Sequence, residues 1–224
     1  MPASVWGPCP FVQKSSVESM PWLPCTKRRL VEMVNKYVET LLEKADGLSD
    51  EEKQTLAESL PVKTYGKGHH LLRQGEPYRE CFYIFKGCIR QYFLDDSGNE
   101  KTVAFFTEGD TAALLDADYL KNPAPYFWEC TEESTVLIGD LTNESDILDR
   151  YPSLQKLIRQ MLEENLGKSQ ASLTTFISST PEQRYLNLIH TRADLLERVP
   201  QYQIASFLGI TAESLSRIRK RLSS

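Results

Sequence analysis

Nowhere in the 224 residues do about 18 apolar residues run together, and Met1 to Trp22 lacks the basic start and unbroken apolar stretch of an export signal. Both absences argue against secretion and membrane spanning, and so for a cytoplasmic protein without a membrane partner. Cysteine is sparse and odd in number: Cys9, Cys25, Cys81, Cys88 and Cys130 are scattered, which favours reduced thiols over a disulfide framework. No G-x-S-x-G, H-E-x-x-H, P-loop or G-x-G-x-x-G occurs. No catalytic residue and no metal ligand is therefore assigned, and the chain is not expected to be an enzyme. The net charge of -5 excludes a uniformly basic surface for indiscriminate nucleic-acid binding.

What is present is unevenly distributed. From Pro181 to Ser224 seven Lys or Arg stand against four Asp or Glu, a net +3, and the rest of the chain nets -8. Four of those basic residues fall between Arg217 and Arg221. A basic tail on an acidic body suits local contact with phosphate.

The pattern along the chain predicts an α+β protein in four parts. Residues 1–25, rich in proline and without a hydrophobic period, read as an irregular extension. Residues 26–142 read as two helices and a β-roll. Leu30, Val31, Val34, Tyr37, Val38 and Leu41 repeat at helical spacing. Ser49, followed by Asp50, Glu51 and Glu52, caps a second helix that Pro61 ends. Short β-rich runs follow: Cys81 to Phe85 and Cys88 to Leu94 flank a two-residue turn at Lys86-Gly87, and Asp95 to Asn99 turns into Lys101 to Phe106 as a second hairpin. With Thr135 to Ile138, six or more strands make a sandwich or jelly-roll-like double-stranded β-helix.

Residues 143–178 read as a long helix, with a cap at Asn143-Glu144-Ser145-Asp146 and a start at Pro152. Leu154, Leu157, Ile158, Met161, Leu162, Leu166, Leu173, Phe176 and Ile177 form one stripe. That stripe either covers the β unit or pairs two subunits, and its length favours a homodimer. Residues 179–224 hold a helix opened by Thr180-Pro181, running to about Leu188, and a restart at Pro200. Gln201 to Leu208, the exit at Gly209, and a helix capped by Thr211 with Leu215, Ile218 and Leu222 inward have helix-turn-helix spacing. Spacing alone fits any helical hairpin equally well. Glu213, Ser214, Ser216, Arg217 and Lys220 are left outward, on a helix whose width suits the major groove of double-stranded DNA.

The run from Ile204 to Lys220 (IASFLGITAESLSRIRK), supported by Leu71-Leu72-Arg73-Gln74-Gly75-Glu76 and Tyr83-Ile84-Phe85-Lys86-Gly87, resembles the Crp/Fnr family of bacterial transcription regulators. The order β-roll, long helix, helix-turn-helix agrees with that family from about Asp46 to Leu222. The resemblance implies that Glu213 and Arg217 read bases, Glu accepting from cytosine and Arg donating to guanine. Ser216 matches the Fnr branch, and Ala212 stands where the Crp branch has Arg, which implies half-sites of the TTGA kind. Gln201, Gln203, Arg219 and Lys220 are candidates for phosphate contact. RNA polymerase is the further partner the resemblance implies. Family members continue into a β-hairpin wing, whereas this chain stops at Ser224, so most of the wing is expected to be absent and dimerisation more necessary.

No effector-binding residue is assigned. Where cyclic-AMP-binding relatives carry Gly-Glu and Arg-Ser, this chain has Ala113-Leu114 and Pro125-Tyr126, leaving no cation for a cyclic phosphate. Cyclic AMP is therefore not expected. An apolar ligand between the strands and the long helix, near Tyr126, Phe127 and Trp128, stays open beside the reading of those rings as core. Cys9 and Cys25 lack the close companions of an iron-sulfur cluster. A haem or redox sensor through His69, His70, Cys81 or Cys88 is conceivable, although two adjacent histidines more simply make a polar loop after Gly66-Lys67-Gly68. The rival function is a ligand-binding or protein-interaction module that has lost DNA binding.

Overall fold

The computed structural model describes residues 36–114, 122–140 and 148–222. The expected extension at 1–25, most of the first helix, Cys9, Cys25 and the Asn143 cap lie outside them.

Residues 36–42 are helical, and Val38, Leu41 and Leu42 are the positions they bury. Helix α1 (Asp50–Ser59) begins with a reciprocal cap: the Glu52 amide donates to Ser49 Oγ at 3.3 Å and the Ser49 amide donates to Glu52 at 2.8 Å. Eight strands follow: β1 (Val62–Tyr65), β2 (His70–Leu72), β3 (Glu80–Lys86), β4 (Ile89–Leu94), β5 (Glu100–Phe106), β6 (Thr111–Ala112), β7 (Phe127–Cys130) and β8 (Ser134–Asp140). They form two antiparallel sheets, ordered β1-β8-β3-β6 and β2-β7-β4-β5. Alternation sends Phe82, Ile84, Val136 and Ile138 of one sheet and Ile89, Trp128 and Cys130 of the other into a shared apolar interior.

The loop from Asp95 to Asn99 closes a β4–β5 hairpin as expected, with the Asp95 carboxylate accepting from the Ser97 and Asn99 amides at 3.0 and 2.9 Å. The turn at Lys86-Gly87 does not close a hairpin. β3 pairs with β8 and β6 while β4 pairs with β5 and β7, so the chain crosses there from one sheet to the other. Gly87 has φ +109°, and a Cβ on it would lie 2.6 Å from the Ser134 Cα, so packing between the sheets fixes the crossover.

Helix α2 (Pro152–Ser178, 27 residues) divides the expected stripe in two. Leu154 and Leu157 are buried, and Ile158 and Met161 partly so, against the outer face of the β1-β8-β3-β6 sheet. Leu166, Leu173, Phe176 and Ile177 are 59, 60, 44 and 75% exposed. The covering reading of the stripe thus holds for the first half of the helix, and the second half is left exposed in the single chain. Asn165 donates to the Thr111 carbonyl at 3.1 Å and Lys168 pairs with Asp110 at 2.7 Å, pinning the middle of α2 to β6.

Thr180 caps α3 (Pro181–Thr191) in a second reciprocal box with Gln183. A short helix that the periodicity did not indicate, α4 (Ala193–Arg198), precedes α5 (Gln201–Phe207) and α6 (Ala212–Leu222). Their core of Tyr185, Leu188, Leu195, Ile204, Leu208, Leu215 and Ile218 is continuous with Cys88 and Phe105 of the roll.

Candidate nucleic-acid interface

The segment α5–turn–α6 has helix-turn-helix geometry for local reasons. Pro200 starts α5, and Ile204 and Ala205 bury its inner face. Gly209 then takes φ +70°, with space for a Cβ limited by the Phe176 ring at 3.0 Å. Thr211 caps α6, its hydroxyl accepting from the Ser214 amide at 3.2 Å. Leu215 and Ile218 are 1 and 8% exposed and lock α6 onto α5. Leu222, expected inward, is 40% exposed, because the last turn of α6 runs past the supporting core.

Thr211, Glu213, Ser216, Arg217 and Lys220 are exposed on α6, and Ser214 is half-buried. Arg217 donates to Ser214 Oγ at 3.2 Å, which aligns the guanidinium along the helix instead of back to the core. Hydrogen bonds at the helix start, first from the backbone and then from Thr211, hold the Glu213 carboxyl below the ordinary range, and the charge of Arg217 acts in the same direction. Glu213 is thus an acceptor at neutral pH, one turn from a forked donor. Gln201 at the start of α5 is exposed. Gln203 departs from the expected set: it is 5% exposed, with its amide donating to the Tyr202 hydroxyl at 3.2 Å. It belongs to the supporting core and has no reach to a phosphate.

This unit is fastened to the roll by contacts that sequence reasoning missed. Arg198 donates to Glu132 at 2.9 Å through Nε and to Glu108 at 2.9 Å through both terminal nitrogens. Burial pushes the Glu108 carboxyl up, but hydrogen bonds from Arg198 and the Gly87 amide outweigh it and leave the group below its usual range. Arg192 donates to Thr107 at 3.0 Å. Ser206 joins β5 twice, accepting from the Thr102 amide at 2.9 Å and donating to the Glu100 carbonyl at 3.0 Å. Phe207 meets Phe105 edge to face at 5.4 Å. Beneath α5, Arg90 is 1% exposed, donating to Thr102 at 2.8 Å and lying 4.3 Å from the Tyr92 ring centre.

The sensing candidates separate as well. The His69 ring stacks on Tyr65 at 4.5 Å, and His70 Nε2 lies 3.1 Å from the Tyr92 hydroxyl. Among the described residues no group of three or more His, Cys, Asp or Glu could hold a metal. Burial pushes the Cys88 thiol up to about 11, against the pull of Thr131, so little thiolate forms at neutral pH. Trp128 lies at the centre of the roll, 0% exposed, edge-on to Phe82 and Phe106.

The described chain is thus a β-roll followed by a long helix and a helix-turn-helix whose second helix is exposed and polar. Residues 62–151 match the family model of the cyclic nucleotide-binding domain. The fumarate and nitrate reduction regulatory protein of Yersinia pestis is 23% identical over 170 residues, which cover 71% of this chain and 67% of that one. FixK2 from Bradyrhizobium japonicum shares the fold, with a TM-score of 0.58 at 18% identity over 73% of this chain and 84% of that one. So does a CRP/FNR-family transcriptional regulator of Thermus thermophilus, with a TM-score of 0.54 at 16% identity over 73 and 86%. In sequence the chain is similar to fumarate and nitrate reduction regulators, and in fold to regulators of the Crp/Fnr type.

The described interior of the roll does not fit the nucleotide that the family model's description implies. Its interior cluster is apolar and filled by Trp128, Phe82 and Phe106. The buried guanidinium of Arg90 is on the opposite face of its sheet, engaged with Glu100 and Thr102. Among the described residues, a phosphate placed in that interior would lose its hydration without a charged partner.

Proposed function

We propose that the chain is a cytoplasmic, non-enzymatic regulator that binds a palindromic DNA site as a homodimer, with affinity tuned by an effector acting through the β-roll. The observation that carries this reading is α6 itself. It buries Leu215 and Ile218 and presents Glu213, Ser216 and Arg217 on the other side. Thr211, Glu213, Ser214, Ser216 and Arg217 are assigned to the base-reading face, with Arg217 donating to guanine and Glu213 accepting from cytosine. Lys220 and Gln201 are assigned to phosphate, which positions α6 without specifying sequence. The homodimer is assigned to the exposed Leu166, Leu173 and Ile177 of α2, a row that a second copy of the same helix would bury. RNA polymerase completes the set of partners that such a regulator must meet.

The test is selection of random duplex DNA by the purified full chain at about 0.1 M salt, low enough to retain phosphate contacts. A two-fold symmetric site with TGA halves is expected. Arg217→Ala should cost about 1–3 kcal/mol and relax preference at one base pair. Equal binding of the best site by parent and variant would remove base reading from this helix.

A further inference from the structure

A partly open cavity lies outside the filled roll interior. On the outer face of the β1-β8-β3-β6 sheet, under the first half of α2, is a cavity of about 140 Å³ with walls that include Leu42, Tyr83, Thr111, Leu137, Leu157 and Met161. Its lining is aliphatic and aromatic with few polar atoms. One of these, Thr111 Oγ1, is buried and has no hydrogen-bond partner. The Thr111 carbonyl accepts from Asn165, so the residue that lines the cavity also anchors α2. The helix wall contributed by Leu157 and Met161 continues along α2 to the exposed Leu166 and Leu173.

We propose that this cavity is the effector site, and that it takes an uncharged molecule about the size of one aromatic ring carrying a single hydrogen-bonding oxygen. Size sets the first limit: a dry apolar cavity of roughly 150 Å³ accepts benzene. Charge sets the second, because the described lining carries no charged side chain to pair with a carboxylate or ammonium. Thr111 sets the third, since its unpaired hydroxyl is satisfied by an oxygen on the ligand. An occupant wedged between sheet and helix acts directly on the seating of α2, the element assigned to dimerisation. The assignment as effector rests on the regulator reading above; the binding site itself does not.

The test is ¹⁹F NMR of the full chain with three probes: 4-fluorophenol, fluorobenzene and 4-fluorobenzoate. Saturable binding is expected for 4-fluorophenol, weaker binding for fluorobenzene and none for the benzoate. Met161→Phe, which fills the cavity, should weaken 4-fluorophenol at least about tenfold while circular dichroism shows a folded chain, and Ala113→Leu, at a second position of the same lining, serves if that variant does not fold. Thr111→Val should erase the preference of 4-fluorophenol over fluorobenzene, expected at about tenfold for one hydrogen bond. No saturable binding by the parent, or unchanged binding by a folded filling variant, overturns the site. Probe binding that leaves the DNA affinity of the parent unchanged overturns its role as effector site. Failure of the DNA selection with probe binding intact would instead count against the regulator reading.

Discussion

On the outer face of the β1-β8-β3-β6 sheet, Tyr83, Phe85 and Leu137 pack against Leu154, Leu157 and the helical residues 36–42 in one apolar cluster. On the other sheet the cover is the helix-turn-helix unit, and much of its attachment is polar: Arg198 on Glu108 and Glu132, Arg192 on Thr107, and Ser206 on the backbone of β5. Both covers hide a sheet face from water. The first depends on apolar area, which salt and pH near neutrality hardly alter. The second depends in large part on charge-assisted hydrogen bonds between part-exposed groups, which salt screens and acid removes by protonating the carboxylates. The fold thus places an apolar joint, expected to be permanent, where the sensor meets the long helix and a more polar joint, expected to be releasable, where it meets the helix-turn-helix unit.

The comparison breaks most visibly at the permanent joint. Leu157 is 5% exposed at the centre of the apolar cover. Leu157→Ala should cost about 2–5 kcal/mol from lost transfer energy and the residual cavity. Urea unfolding followed by circular dichroism measures it, and the loss should persist unchanged in high salt. A cost below about 1 kcal/mol would show that this face is not held by apolar packing.

At the releasable joint the expected effect is smaller and conditional. Arg198→Ala removes the hydrogen bonds to Glu108 and Glu132, and their side chains, 45 and 33% exposed, regain water. After a discount for that exposure the cost is about 1–2 kcal/mol. It should appear as faster amide exchange in α4 and α5 with the roll interior unaffected. The pH dependence has a definite sign. The folded carboxyl of Glu108 sits below its unfolded value, so its contribution is present above the ordinary carboxylate range and is lost as pH falls through the lower, folded value. The parent joint should therefore loosen on acidification, and Glu108→Gln should flatten that part of the profile. A profile identical to the parent's would mean that Glu108 does not hold the joint.

The two joints also differed in how far the sequence disclosed them. The caps at Ser49 and Thr180 and the turn at Gly209 are local events, decided by residues within four positions, and each was legible. The face of α6 was legible for the same reason, apart from Leu222 beyond the end of the core. Arg198 meets Glu108 and Glu132 across 90 and 66 residues, and a pairing at that separation leaves no periodic signal in either segment. The Lys86-Gly87 turn misled because a hairpin and a crossover ask for the same glycine, and the choice is made by Ser134 on a distant strand. Gln203 misled because helical spacing names a face without saying what lies against it.

Ser206 offers the finest division between the two kinds of cover. β5 is an edge strand, and its Thr102 amide and Glu100 carbonyl face outward from the β4 ladder toward α5. Exposed edge groups invite pairing with another chain. Here a single hydroxyl answers both, so the contact is polar like the Arg198 clamp but carries no net charge. Ser206→Ala should cost about 1 kcal/mol for a part-buried pair left to find water. Unlike the effect of Arg198→Ala, it should not diminish as salt rises. Amide exchange at Thr102 in low and high salt separates the two. Equal protection of Thr102 in parent and variant would assign the edge to packing by Phe207 on Phe105, and the attachment of α5 would then belong with the apolar joint.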